Sequence, residues 1–274
     1  MNVAAGLAIA GDGSALPGAE GDPGAVLAAL SGDARSLRDH TSLNAFPVAV
    51  AARDAGDLST AVRALPTGIT AVFLARTEAA RAGAAQRALA GGVPVLTEQD
   101  TLGVALAASV LVTLRRKDIP CRAGRVVVTG AELAPLLVSL LMAAGVGDIA
   151  SWRPADAPGF PLAAIARDAA VVVDLARAAG SRSVAEDTAP AVLVHDDPFA
   201  HLLALPGLVR ALRDGPDSRR HADPLYRLEV YRAGAHALAT LAPVDRVLPE
   251  LSDPDLTRRV ADAAAAALSG PRPR

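Results

Sequence analysis

The stretch RVVVTGAELAPLLVSLLMAAGVGDI, residues 125–149, decides the fold. Val126–Thr129 is a largely apolar run of the kind buried in a parallel sheet. Gly130 then turns the chain, a helix follows near Leu133–Ala144, and Asp148–Trp152 reads as the next strand. Strand, glycine turn and helix is the setting of the dinucleotide fingerprint G-x-G-x-x-G. There the first glycine makes the turn, the second lets backbone approach pyrophosphate, and the third allows close helix–strand packing. Here the three positions read Gly130, Glu132 and Pro135, so only the turn glycine is present. The candidate dinucleotide contacts are therefore Gly130 and Ala131. Glu132 brings a carboxylate to a helix N-terminus and is expected to take the anion position itself. The acidic residue usual after the second strand is replaced by Arg153, read as a solvated side chain. By itself the motif also fits a βα turn in any doubly wound sheet.

Outward from this unit, strands and helices alternate. Residues 11–23 are Gly/Pro-rich and read as loop. Strands are expected at Pro47–Ala51, Ile69–Leu74, Val93–Leu96, Val171–Leu175 and Ala191–His195. Helices are expected at Asp57–Leu65, with Asp57 as N-cap, from a Thr77 cap to Ala90, at Asp100–Arg116 and at Pro161–Ala169. Beyond residue 200 the pattern is helical: Leu205–Arg213, Pro224–Leu241 and Asp255–Leu268. No internal repeat is visible. Strands separated by helices predict parallel βαβ units: an α/β protein with a Rossmann-like doubly wound parallel sheet, a smaller N-terminal α/β part and C-terminal helices that pack back.

Composition narrows the function classes. The 274 residues carry 27 basic and 29 acidic side chains, without a basic stripe, so no nucleic-acid partner is expected. Lysine occurs once, at Lys117, and cysteine once, at Cys121, which leaves no internal disulfide or CxxC metal site. The longest apolar runs, Val104–Leu114 and Leu133–Val146, fall short of the roughly 18 residues of a membrane span. The first ten residues lack the basic start of a signal peptide. A cytoplasmic protein is expected.

Several blocks, in order, resemble bacterial-type malic enzymes, the NAD(P)-dependent decarboxylating malate dehydrogenases. LNAFPVAV (43–50) is similar to I-D-A-F-P-I-x-L of that family. LPTGITAVFLARTEAA (65–80), VPVLTEQDTLGVALAASVLVTLR (93–115), the opening stretch at 125–149, LALPGLVRAL (203–212), AGAHALATL (233–241) and VLPELSDPDLTRRVADAAAAAL (247–268) match further segments. The resemblance covers roughly residues 24–268 and identifies a divergent, N-terminally shortened member. It implies a malic-type α/β domain over 1–100 and a Rossmann-like NAD(P)-binding-type domain with C-terminal helices over 101–274.

The resemblance also implies a chemistry: a divalent metal on three carboxylates, a lysine base, a tyrosine acid and a dinucleotide hydride acceptor. Carried over residue by residue, the lysine falls on Arg38, which cannot act as a base near neutral pH. The adjacent Glu-Asp ligand pair falls on Ala75 and Arg76. The third ligand falls on Gln99, with Glu98 or Asp100 one residue away. Two asparagines near substrate or nicotinamide fall on Asp197 and His201. Tyr226 and Tyr231 lie in a late helix and do not match the tyrosine. No catalytic residue and no metal ligand is assigned.

Other polar residues have plain readings. His195, Asp196, Asp197 and His201 form a polar loop with a turn at Asp197-Pro198, the rival being a metal cluster. Lys117 is a solvated helix-end cation, Cys121 an unreactive thiol, Trp152 a packing residue and His40 a surface histidine. The expected function is that of a malic-enzyme-like protein with degenerate metal, base and dinucleotide sites. It would be non-catalytic, bind NAD or NADP weakly at most, take no divalent metal, and act as a homo-oligomer or with a full-length malic enzyme. The alternative is a working NAD(P)-dependent malic enzyme, converting malate to pyruvate, with its missing groups supplied by a partner chain.

Overall fold

A computed structural model describes residues 6–18, 22–176, 191–194, 197–214 and 223–270. Two four-stranded sheets, each wholly parallel, organise the chain. The first has the order β2-β1-β3-β4, from β1 (Gly6–Gly11), β2 (Asn44–Ala49), β3 (Ile69–Leu74) and β4 (Val95–Thr97). The second has the order β6-β5-β7-β8, from β5 (Arg125–Thr129), β6 (Asp148–Trp152), β7 (Val171–Asp174) and β8 (Ala191–Val194). In both, the first strand lies between the second and third. The connections therefore run in opposite directions from a switch point beside that first strand. No helix among the described residues is long and apolar enough to cross a membrane.

β1 and α1 (Pro23–His40) lie where the sequence pattern predicts no strand or helix. All six β1 residues are buried, and the strand is central in its sheet. α1 starts from Asp22, whose carboxylate accepts from the Gly24 and Ala25 amides, with Pro23 in the first turn. Other boundaries move for local reasons. α2 (Ala55–Arg63) is capped by Asp54 rather than Asp57, because Asp54 receives the Gly56 and Asp57 amides. α3 (Ala79–Ala88) starts after Glu78, while the buried Thr77 hydroxyl is turned inward to the Ala75 carbonyl. β2 tolerates Pro47 because it is an edge strand of this sheet.

α4 (Glu98–Arg116) joins the halves. It is capped by Thr97, and nearly every residue from Asp100 to Leu114 is buried. It packs on α5 (Leu137–Ala143), α7 (Ala200–Leu203) and α9 (Pro224–Leu241), and touches strands of both sheets. Its polar side chains turn back on their own helix: Ser109 donates to the Ala105 carbonyl and Thr113 to the Ser109 carbonyl. α6 (Leu162–Ile165) covers the outer face of the second sheet. α8 (Leu205–Asp214) and α10 (Leu256–Ser269) complete the layer, with α8 reaching back to β3.

α8 and α10 cross at Gly207. A Cβ there would lie 2.5 Å from Val260 Cβ and 2.9 Å from the Ala261 amide nitrogen. Gly207→Ala should therefore destabilise the protein by about 1–3 kcal/mol through overpacking, although alanine is the better helix former by about 1 kcal/mol. Urea midpoints check this. A raised midpoint in the variant would contradict the close crossing.

Candidate active site

At the C-terminal end of the first sheet, β1 and β3 end side by side. Gly11 is obligatory there, since a Cβ would stand 2.0 Å from the Ala75 carbonyl oxygen. The residue after Ala75, Arg76, has a left-handed backbone (φ 53°), uncommon for a side chain of this size. It is held there by the groups around it. Its amide donates to Glu98 Oε2 at 2.6 Å and its Nη1 to Glu98 Oε1 at 3.1 Å. Nη2 meets both carboxylate oxygens of Asp33 at 3.0 and 2.9 Å. Asp33 comes from the middle of α1 and is itself buried. His201 closes the group from α7, its Nε2 3.3 Å from Asp33 Oδ1 and its ring stacked on Phe73. That nitrogen, Arg76 Nε and Gln99 Oε1 are buried without a hydrogen-bond partner among the described residues.

The positions to which the resemblance assigns metal ligands thus hold a buried methyl group, Ala75, and a guanidinium. The nearby carboxylates are paired to that guanidinium, and the residues present do not fit a divalent ion. Among the described residues no three His, Cys, Asp or Glu side chains are arranged to hold one. Arg38, in the lysine's place, is not part of the group; its Nη1 donates to the Ala45 carbonyl. Asp33, five residues earlier on α1, faces Arg76 instead, and sequence reasoning missed it. Its signal was a lone acid on the apolar face marked by Leu30, Ala34 and Leu37.

The alternatives at the start of α4 separate by geometry. Glu98 faces Arg76, and Gln99 Nε2 donates to the Thr77 carbonyl. Asp100, two residues beyond Glu98, points to the other side of the helix. Its Oδ2 accepts from Gln86 Nε2 at 2.8 Å and from Tyr231 Oη at 3.2 Å. Gln86 also donates to the Val95 carbonyl and accepts from Arg227 Nη1 at 2.7 Å. Burial pushes the Asp100 carboxyl above its ordinary value, against the pull of Gln86 and the Arg227 charge. Burial and the neighbouring carboxylate push the Tyr231 phenol well up, so it stays a donor. This network ties α3, α4 and α9 together.

The second sheet's switch point lies between Gly130 and Asp174. Gly130 makes the left-handed turn that the sequence implies (φ 65°). The helix beyond it starts later than expected. Ala131–Leu133 is one 3-10 turn, and α5 begins only at Leu137, not near Leu133. The amides of Leu133, Ala134 and Leu137 bond to the carbonyls of Gly130, Ala131 and Ala134. Glu132 is exposed on that turn and caps no helix, so its expected anion-mimicking role is not realised. Closure comes from the β7 side: a Cβ on Gly130 would lie 2.9 Å from the Ala176 nitrogen. Thr129 Oγ1 donates to Asp174 Oδ1 at 2.6 Å and accepts from the Ala176 amide. Gly130 and Ala131 thus stand at the turn beside the second sheet's switch point, with Glu132 and Pro135 where the dinucleotide fingerprint has glycines.

Of the remaining candidates, His195 and Asp196 lie outside the described residues. Asp197 forms the expected turn, its Oδ1 receiving the Phe199 amide. His40, at the end of α1, shares with Asp197 the wall of a cleft of about 810 Å³ against α4. Lys117 donates to the Ala170 carbonyl and Cys121 is a free, half-buried thiol. Trp152 packs under α6 with its indole N–H on the Phe160 carbonyl, as a packing residue should. Arg153 is exposed.

Neither protein-family models nor curated protein sequences match this chain. Solved structures do. The NAD-dependent malic enzyme of Thermotoga maritima superposes with a TM-score of 0.75 at 16% identity, over 95% of this chain and 84% of that one. The malic enzyme of Pyrococcus horikoshii gives 0.72 at 15% identity, over 96% and 76%. That of Entamoeba histolytica gives 0.76 at 14% identity, over 96% and 69%. The chain is an α/β protein with two parallel sheets. Its fold is that of malic enzymes, as the collinear sequence blocks imply.

The buried carboxyl of Asp100 gives a pH test. Its proton is held more tightly in the folded protein than at the ordinary value of 3.8. Its contribution to stability is therefore full below that value and is lost as pH rises through the folded one. Asp100→Asn keeps an acceptor for Gln86 and Tyr231 and cannot ionise. The stability of this variant relative to the natural protein should rise as pH increases above about 4. A difference that stays flat from pH 4 to 8 in chemical denaturation would contradict a raised Asp100.

Proposed function

We propose that this protein is a malic-enzyme-like scaffold that does not decarboxylate malate and acts through association. The observation that carries the reading is the Arg76 guanidinium, paired to Asp33 and Glu98 where the resemblance implies a metal ligand. A Lewis acid is needed to polarise the ketone, and the carboxylates that could recruit one are neutralised by a fixed cation. The lysine's position adds a second argument, since Arg38 cannot take a proton near neutral pH. Glu132 and Pro135, in place of two fingerprint glycines, and the late start of α5 at Leu137 support weak dinucleotide binding at best.

Purified protein with malate, Mn²⁺ and NAD or NADP should form no reduced dinucleotide. Turnover near the ordinary enzymatic scale of about 10 s⁻¹ would overturn the proposal and favour a working malic enzyme. Calorimetry should give NAD and NADP affinities no tighter than about 1 mM, a binding free energy of about −4 kcal/mol. Micromolar binding would overturn this part of the reading.

The association proposed is with a second copy of the chain or with a full-length malic enzyme. Light scattering at micromolar concentration should then give at least twice the 27.7 kDa chain mass. A monomer that also leaves an active malic enzyme's mass and kinetics unchanged would remove this part of the reading.

A further inference from the structure

The group around Arg76 has a shape of its own, and its consequence does not rest on the proposed loss of catalysis. We infer that Asp33 and Glu98 form a binding pocket for one guanidinium-type cation, and that Arg76 fills it as a tethered ion. Two of the three guanidinium nitrogens are used: Nη2 meets both oxygens of Asp33 and Nη1 meets Glu98 Oε1, while Nε has no partner among the described residues. The second oxygen of Glu98 fixes the Arg76 amide, so the carboxylate grips side chain and backbone together. Two nitrogens held apart in one planar ion thus address two carboxylates at once, which a compact ammonium with a single nitrogen cannot reproduce. It also differs from a metal site. A divalent ion draws oxygen ligands to about 2.0–2.6 Å on all sides, whereas the oxygens here meet two nitrogens of a flat ion.

The pocket is built by elements far apart in sequence. Asp33 stands on α1, Glu98 at the start of α4, and His201 on α7, where its ring closes the Asp33 side. Asp33 is buried and Glu98 largely so, and without a cation the two would repel. The left-handed backbone at Arg76 is fixed by Glu98, which takes its amide, and by the Ala15 amide, which donates to its carbonyl. An internal cation therefore braces α1 and α4 across the end of the first sheet, whatever ions the solution contains. Arg76 thus supplies in cis a charge that would otherwise have to be captured.

The test is chemical rescue in the full chain. Arg76→Gly removes the guanidinium and accepts the left-handed backbone, so the variant loses the ion without added strain. Its melting temperature should fall by about 10 °C. Methylguanidinium chloride at about 10 mM, far below denaturing concentrations, should restore part of that loss saturably, because a ligand of the native state alone stabilises it. Urea, flat but neutral, should restore nothing, and neither should methylguanidinium in Arg76→Gly with Asp33→Asn. Absence of rescue by methylguanidinium overturns the inference. Rescue by Mn²⁺ in its place would also overturn it, by showing a pocket for a spherical ion. If Arg76→Gly does not fold, Arg76→Lys decides: it should fold and melt several degrees lower, and a melting temperature equal to that of the natural protein would refute the need for two nitrogens.

Discussion

A helix buried along most of its length can touch water only at its ends, and α4 is such a helix. From Asp100 to Leu114 its surface is taken by α5, α7, α9 and strands of both sheets. Its internal hydroxyls therefore return to backbone carbonyls of the same helix. Its charged groups are confined to the two ends. At the start, Glu98 and Asp100 point to opposite sides, one to the Arg76 guanidinium and the other to Gln86 and Tyr231. At the far end, Arg115 and Arg116 donate to carbonyls at Ala239, Pro243 and Arg246. Hydrogen bonds from the polar atoms of α4 tie it to α3 and α9, and through Arg76 to Asp33 on α1.

The two sheets share one strand order, and each puts a glycine at the end of its first strand. In each, the chain leaving the third strand packs onto that glycine, through Ala75 at Gly11 and through Ala176 at Gly130. Open parallel sheets bind ligands at such points because two connections diverge and leave a crevice. Here one crevice ends in an arginine clasped by two carboxylates, and the other in a threonine–aspartate pair that draws the Ala176 amide inward. In both places polar side chains at the strand ends pair with one another. The chain thus keeps the two-sheet architecture of malic enzymes with paired polar groups at both switch points.

Much of the architecture was legible from periodicity. The strands Ile69–Leu74 and Asp148–Trp152 and the helix Pro224–Leu241 have the bounds that their apolar patterns mark. β1 was not legible, because six small and apolar residues beside a Gly/Pro-rich stretch carry no alternation. α1 had a signal, Val26, Leu30, Ala34 and Leu37 at helical spacing, diluted by Gly24, Gly32 and several charges. The start of α5 moved because Pro135 and the 3-10 turn interrupt a run that composition alone reads as one helix.

The sequence by itself determined the alternation of strands and helices, the collinear malic-enzyme blocks and the identity of the residues at the chemical positions. Side-chain chemistry is local: arginine at 76 is not a carboxylate, and glutamate at 132 is not a glycine, whatever surrounds them. Only the tertiary structure decided which of these replacements faces which. Asp33 and Arg76 are 43 residues apart, and Thr129 and Asp174 are 45 apart. Such pairs exist because parallel crossovers bring the ends of distant elements to one edge of a sheet, and no spacing along the chain records that. Arg38 turns from the cluster while Asp33 enters it, since five residues along a helix shift a side chain by well over a quarter turn. Glu132 lost its expected role for a similar reason. The anion position belongs to a helix N-terminus, and packing started that helix four residues further on.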